Sequence, residues 1–307
     1  MMKKSYRLLA ALMALCLIVV CFAGCGSSAT ESDGETGTVK IATKPITEEL
    51  ILGEMLKELI ETNTNLTVEL TKGVGGGTSN IHPAMVEGEF DLYPEYTGTS
   101  WFTVLKKEEN LEDDALYTEL VAEYEEQYQM TWTGLYGFNN TYSLAVSKEV
   151  ADKYNLKTFS DLAKVSDQLI FGANPDFLER EDGYPGFTAA YNMTFKDVSQ
   201  MDVGLKYTAL LNGEVDCIPV FTTDGQSSDE NVVVLEDDQH YFKNYYCGTI
   251  VRMDCLEKYP SLQPVLELLN DQITDEEMAK MNYAVEVEGK EDVDVAHEFL
   301  VEKGLVD

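Results

Sequence analysis

Two stretches of this chain place the same residue types at the same spacing. Gly88-Glu89-Phe90-Asp91-Leu92-Tyr93-Pro94-Glu95-Tyr96-Thr97 aligns without a gap with Gly213-Glu214-Val215-Asp216-Cys217-Ile218-Pro219-Val220-Phe221-Thr222, at a constant offset of 125 residues. Each copy follows a helix-like stretch, runs through a strand-like segment and ends in Pro-x-aromatic-Thr. Helix–Gly–Glu–strand turns are common enough that chance is the competing explanation. The shared Gly, Glu, Asp, Pro, aromatic and Thr favour a structural echo. Tyr96 and Phe221 would then lie just past the C-terminal ends of equivalent strands, where open α/β sheets bind ligands.

Other residues that could do chemistry do not assemble. His82, His240 and His297 are scattered, with no HExxH spacing for zinc. Gly73-Val74-Gly75-Gly76-Gly77-Thr78 has the composition of a phosphate cradle but lacks the Gly-Lys-Ser/Thr that makes a P-loop, and reads as a flexible turn. Asp113-Asp114 and Asp237-Asp238 read as solvated faces. Cys217, Cys247 and Cys255 are odd in number, so they cannot all pair with one another, and buried free thiols are expected. No nucleophile–base arrangement is visible, and no cofactor and no metal are expected. The net charge is −33, and loss of residues 1–24, with their three basic and no acidic residues, would take it to −36. Such a surface repels nucleic acid and anionic lipid headgroups.

Those residues need elements to hold them. Thr38–Ala42, Leu66–Leu70, Tyr142–Val146, Leu169–Ala173, Cys217–Phe221, Val232–Leu235 and Gly248–Val251 read as strands. Thr47–Thr62, Asp113–Met130, Val203–Leu211, Leu262–Leu269, Asp275–Tyr283 and Val293–Glu302 read as helices. In the first of these, Leu50, Ile51, Met55, Leu56, Leu59 and Ile60 share a face, and Glu48 and Glu49 suit the helix N-terminus. The alternation makes an α/β protein. Ahead of it, Met1–Arg7 is basic and Leu8–Phe22 is uncharged and apolar. Phe22-Ala23-Gly24-Cys25 then resembles the cleavage site of a bacterial lipoprotein, with Phe22 in place of the usual aliphatic residue. On that reading 1–24 is a signal peptide, Cys25 carries lipid and 25–37 is a flexible tether. A plain secretory signal or an uncleaved anchor helix are the alternatives, although the apolar run is short for a membrane span.

The body, from about Val39 to the C-terminus, resembles the solute-binding proteins of glycine betaine/carnitine/choline ABC importers. The motifs are Thr43-Lys44-Pro45-Ile46-Thr47-Glu48, Gly73–Thr78 followed by His82, Asp91-Leu92-Tyr93-Pro94-Glu95-Tyr96-Thr97-Gly98-Thr99, Gly137-Phe138-Asn139-Asn140-Thr141-Tyr142, Asp182-Gly183-Tyr184-Pro185-Gly186-Phe187 and Thr222-Thr223-Asp224-Gly225. The resemblance implies a two-lobed, type II periplasmic-binding-protein-like fold with the ligand in the inter-lobe cleft. Lobe one would be formed by 38–140 and 248–307 and lobe two by 141–247, with chain crossings near Asn139–Tyr142 and Tyr245–Gly248. The family's aromatic cage falls on Tyr96, Tyr142, Phe221 and Tyr245, with Tyr246 the competing choice for the last. Phe221 stands where the family usually has Tyr. The family's carboxylate clamp falls on Lys44, Thr99 and Arg180, though Arg180 lies between Glu179 and Glu181. Any one of these rings, taken alone, would more often be core.

Ring faces suit a trimethylammonium head because it carries charge yet donates no strong hydrogen bond. Each cation–π contact contributes about 0.5–1 kcal/mol when exposed and about 2 when desolvated. The resemblance therefore implies an extracytoplasmic, lipid-anchored, monomeric binding protein and no enzyme. It would take glycine betaine, with choline or carnitine possible, and deliver it to an ABC permease and its ATPase. A tethered enzyme of glycosidase type and a tethered solute sensor are the competing functions.

Overall fold

The computed structural model describes residues 35–307 apart from 108, 110 and 180–182. The signal peptide, Cys25, most of the tether and Arg180 lie outside the described residues.

Among the described residues, ten strands form two five-stranded sheets. The first holds β1 (Thr36–Ala42), β2 (Asn65–Thr71), β3 (Leu92–Tyr96), β4 (Met130–Asn139) and β10 (Tyr246–Arg252), in the order β2-β1-β3-β10-β4. The second holds β5 (Tyr142–Ser147), β6 (Ile170–Ala173), β7 (Asp197–Gln200), β8 (Cys217–Phe221) and β9 (Val232–Leu235), in the order β7-β6-β8-β5-β9. The orders correspond position by position. In each, the central strand pairs in parallel with an earlier strand (Ile41 with Leu92, Phe171 with Cys217) and antiparallel with a strand that enters from the other sheet. This is the two-lobed α/β fold of the periplasmic binding proteins.

The 125-residue echo is therefore structural. Gly88 and Gly213 both take positive φ, +80° and +71°, which glycine adopts without the steric cost of a Cβ. Asp91 and Asp216 each accept the backbone N–H of the neighbouring parallel strand at 2.8 Å, from Lys40 and Ile170. Each donates its own N–H at 2.8 Å to the carbonyl of that same residue. Two residues past each parallel pairing stands a proline, Pro94 or Pro219, with no N–H to continue a ladder. Beyond the proline each strand stays paired on its antiparallel side, Tyr96 with Cys247 and Phe221 with Tyr142.

Both faces of each sheet are covered. Against the first, the helix Thr47–Asn63 buries Ile51, Leu52, Met55, Leu56, Leu59 and Ile60 completely. Burying a side chain of this kind stabilises by roughly 1.5–3 kcal/mol relative to exposure. Trp101, Tyr124 and Trp132 belong to the cluster on the opposite face. The second sheet buries Phe159, Phe171 and Phe187 on one side and Leu210, Ile218 and Val220 on the other.

Some boundaries differ from expectation. The helix read as Asp113–Met130 ends at Tyr128, because Gln129 turns left-handed (φ 56°) and Met130 begins β4. β4 escaped the sequence reading because Gly134 and Gly137 interrupt its alternation, where its pairing with β10 slips register. β7 and the helix Thr78–Glu87 were also not expected. β7 is four residues long and mostly exposed, and the helix carries Pro83 in its interior.

Candidate ligand-binding cleft

β3 is buried along its whole length, although it contains an acid, Glu95. That acid has built-in partners. Lys44, from the turn after β1, places Nζ against Glu95 Oε1, and Thr78 donates to Oε2 at 2.6 Å. Glu49 Oε1 lies 3.5 Å from the same ammonium. Burial disfavours charge on Lys44, but Glu95 and Glu49 outweigh it and hold the ammonium above the usual lysine range. Glu49 is pushed up to about 8, first by burial and then by Glu95, against the pull of Lys44.

Tyr96 closes β3. Its ring is 6% exposed, its hydroxyl donates to Glu48, and Lys44 Nζ stands 4.3 Å from the ring centroid. The ring of Tyr245 lies directly over Gly98, where an added Cβ would meet it at 2.5 Å. The Tyr245 N–H bonds to Asn139 Oδ1 at 2.7 Å, which fixes the returning crossing against the outgoing one. Tyr245 is thus the tyrosine packed beside the end of β3, while Tyr246 lines a separate stretch of the cleft with Asp113 and Asp275. Thr99 is half-buried in the helical turn Thr97–Thr99.

On the second sheet the rings come together differently. Tyr142 and Phe221 are register partners across β5 and β8, and their centroids are 4.5 Å apart. Phe177 at 5.2 Å and Phe242 at 5.7 Å back Tyr142. Phe221 is 38% exposed. Its backbone is held by Asp224, which accepts the Phe221 N–H at 3.2 Å together with Lys206 Nζ at 2.8 Å and the Tyr207 hydroxyl at 3.0 Å. A cavity of about 970 Å3 lies along both crossings, between Trp101, Phe102 and Asp113 of the first lobe and Tyr142, Asp237 and Phe242 of the second. Of the expected site residues that are described, it takes in Tyr142 alone.

Sequence reasoning missed the groups that hold the rings: Glu48, Glu95, Asn139 and Asn282. Glu48 read as an ordinary acidic helix start, and it is 3% exposed. The signal for Glu95 was an acid inside an otherwise apolar strand.

The family model describing the substrate binding domain of ABC-type glycine betaine transport systems matches residues 37–302. The chain belongs to this family. That membership puts it among transport binding proteins rather than enzymes, and the glycosidase alternative falls. The chain is 44% identical over 265 residues to the ergothioneine transport permease/ergothioneine binding protein EgtU of Helicobacter pylori (strain G27). The match covers 86% of this chain and 47% of EgtU, so the chain spans about half the length of that relative. It is 37% identical to the carnitine transport binding protein OpuCC of Listeria monocytogenes, with 86% of each covered. A solved glycine betaine/carnitine/choline ABC transporter structure superposes with a TM-score of 0.82 at 32% identity, covering 88% of this chain and 100% of the other.

Proposed function

We propose that this chain captures a quaternary-ammonium betaine between its two lobes and presents it to the permease of an ABC importer. The observation that carries the reading is the Tyr142–Phe221 pair on the second sheet, one ring partner exposed, set apart from Tyr96 on the first sheet and from Tyr245, which packs beside it. Lobe closure would bring the four rings around one trimethylammonium head.

Among betaines, ergothioneine is the first choice ahead of glycine betaine. It carries the same trimethylammonium and carboxylate, and the relative named for it has 44% identity against 37% for the carnitine protein. Because Lys44 is already paired with buried Glu95, recognition of the carboxylate would fall to Thr99 and Arg180. We also propose that Cys25 is lipidated and tethers the body outside the cell. Among the described residues, no helix is long and apolar enough to cross a membrane.

Calorimetric titration with ergothioneine, carnitine, glycine betaine and choline tests the reading. The three betaines should bind more tightly than choline, and Arg180→Ala should erase that preference. Absence of heat with all four ligands would overturn it.

A further inference from the structure

Glu48 opens the helix Thr47–Asn63 and is almost wholly buried. A carboxylate in that position needs donors on its oxygens, and they come from three separate places. Oε1 accepts the Tyr96 hydroxyl and, at 2.6 Å, Asn140 Nδ2. Oε2 accepts Asn282 Nδ2 at 3.3 Å, and that amide also donates to the Thr223 carbonyl at 2.8 Å. All three donors are neutral, so hydrogen bonds hold the charge, helped by the helix N-terminus.

The places these donors come from matter. Tyr96 is itself a ring at the end of β3. Asn140 precedes Tyr142 by two residues, in the segment crossing to the second lobe. Thr223 follows Phe221 by two residues, at the end of β8. The carboxylate thus bonds directly to Tyr96 and to Asn140, two residues before Tyr142, and reaches Thr223, two residues after Phe221, through the Asn282 amide. Shifting the end of β3 or the Asn140 crossing breaks a bond to the buried carboxylate, and shifting the end of β8 breaks the bond from Thr223 to the amide that holds its other oxygen.

We infer that Glu48 is a positioning residue for the cleft, registering the Tyr96, Tyr142 and Phe221 walls against one another. It acts through the rings and not on the solute. The inference rests on the proposed cleft, so its test needs one readout that does not depend on ligand.

Glu48→Gln keeps the size and turns the face toward Asn282 from acceptor to donor. Affinity for ergothioneine or glycine betaine should fall about tenfold. Tyr96→Phe should also weaken binding, and the double variant should bind no worse than the weaker single, because both break one link. In ligand-free protein, hydrogen exchange should show faster exchange at the amides of Asn140 and Thr222 in Glu48→Gln. Should Glu48→Gln not fold, Asn140→Ala removes one donor from the half-buried crossing and is read the same way. Binding within twofold of wild type, or single losses that multiply in the double variant, would overturn the role. If wild type binds neither betaine, the proposed cleft fails and exchange alone decides: unchanged protection at Asn140 and Thr222 sinks the inference, and lost protection supports it.

Discussion

The ends of β3 and β8 occupy equivalent positions in two sheets of the same order, and each closes on an aromatic residue followed by threonine, yet they are held by opposite means. Tyr96 is 6% exposed and bonded to Glu48, beside the buried Lys44–Glu95 pair. Phe221 is 38% exposed and stacked on Tyr142, with charge present only behind its backbone, at Asp224 and Lys206. The difference teaches that one strand position can carry a ring in two ways. Buried charge gives a wall with a single orientation, since every alternative strands an ion. Apolar stacking gives a wall that can adjust to a ligand at small cost.

The comparison is broken most directly through the two lysines. Lys44→Met leaves Glu95 buried without its cation and should destabilise by about 3–5 kcal/mol. Lys206→Met should cost about 1 kcal/mol or less, because Asp224 keeps the Tyr207 hydroxyl and is partly solvated. Urea unfolding of both variants measures the gap, and equal losses would abolish the distinction.

Titration sharpens it next. Glu49 is an acid whose folded pKa, about 8, lies above its ordinary value of 4.5. The folded state then binds the extra proton between those values, so stability is greatest at the acid end and falls as pH rises through the window. The loss should be roughly 2–4 kcal/mol between pH 5 and 8. Glu49→Gln, which cannot ionise, should show a flatter profile by that amount. Parallel profiles would mean that Glu49 stays charged throughout.

Effects on binding rank below these. Tyr142→Ala removes the ring that Phe221 stacks upon and should weaken betaine binding by about 2 kcal/mol, roughly thirtyfold, whereas Tyr142→Phe should cost much less. Titration calorimetry decides, and equal losses would assign the role to the hydroxyl. The smallest effect is expected from Phe221→Tyr, which adds a hydroxyl to the ring at a partly exposed position. Its hydroxyl can stay hydrated, so affinity should change by less than threefold, about 0.6 kcal/mol. A tenfold change would show that the second lobe is as tightly specified as the first.

The family motifs and the 125-residue echo were legible because they are local. Gly88 and Gly213 are needed for backbone turns, Asp91 and Asp216 bond to an adjacent strand, and alternating apolar residues report the faces of helices and strands. The placement of Tyr96 and Phe221 at strand ends followed from the same information. By itself, then, the sequence determined an α/β protein with two like sheets and a ring at the end of each central strand. It did not reveal that Glu48 is buried or that Lys44 is already neutralised by Glu95. The partners of those charges are distant in sequence: 51 residues separate Lys44 from Glu95, 92 separate Glu48 from Asn140 and 234 separate Glu48 from Asn282. A charge reads as solvated until the fold removes water from it, and only the tertiary structure decides which donors replace that water.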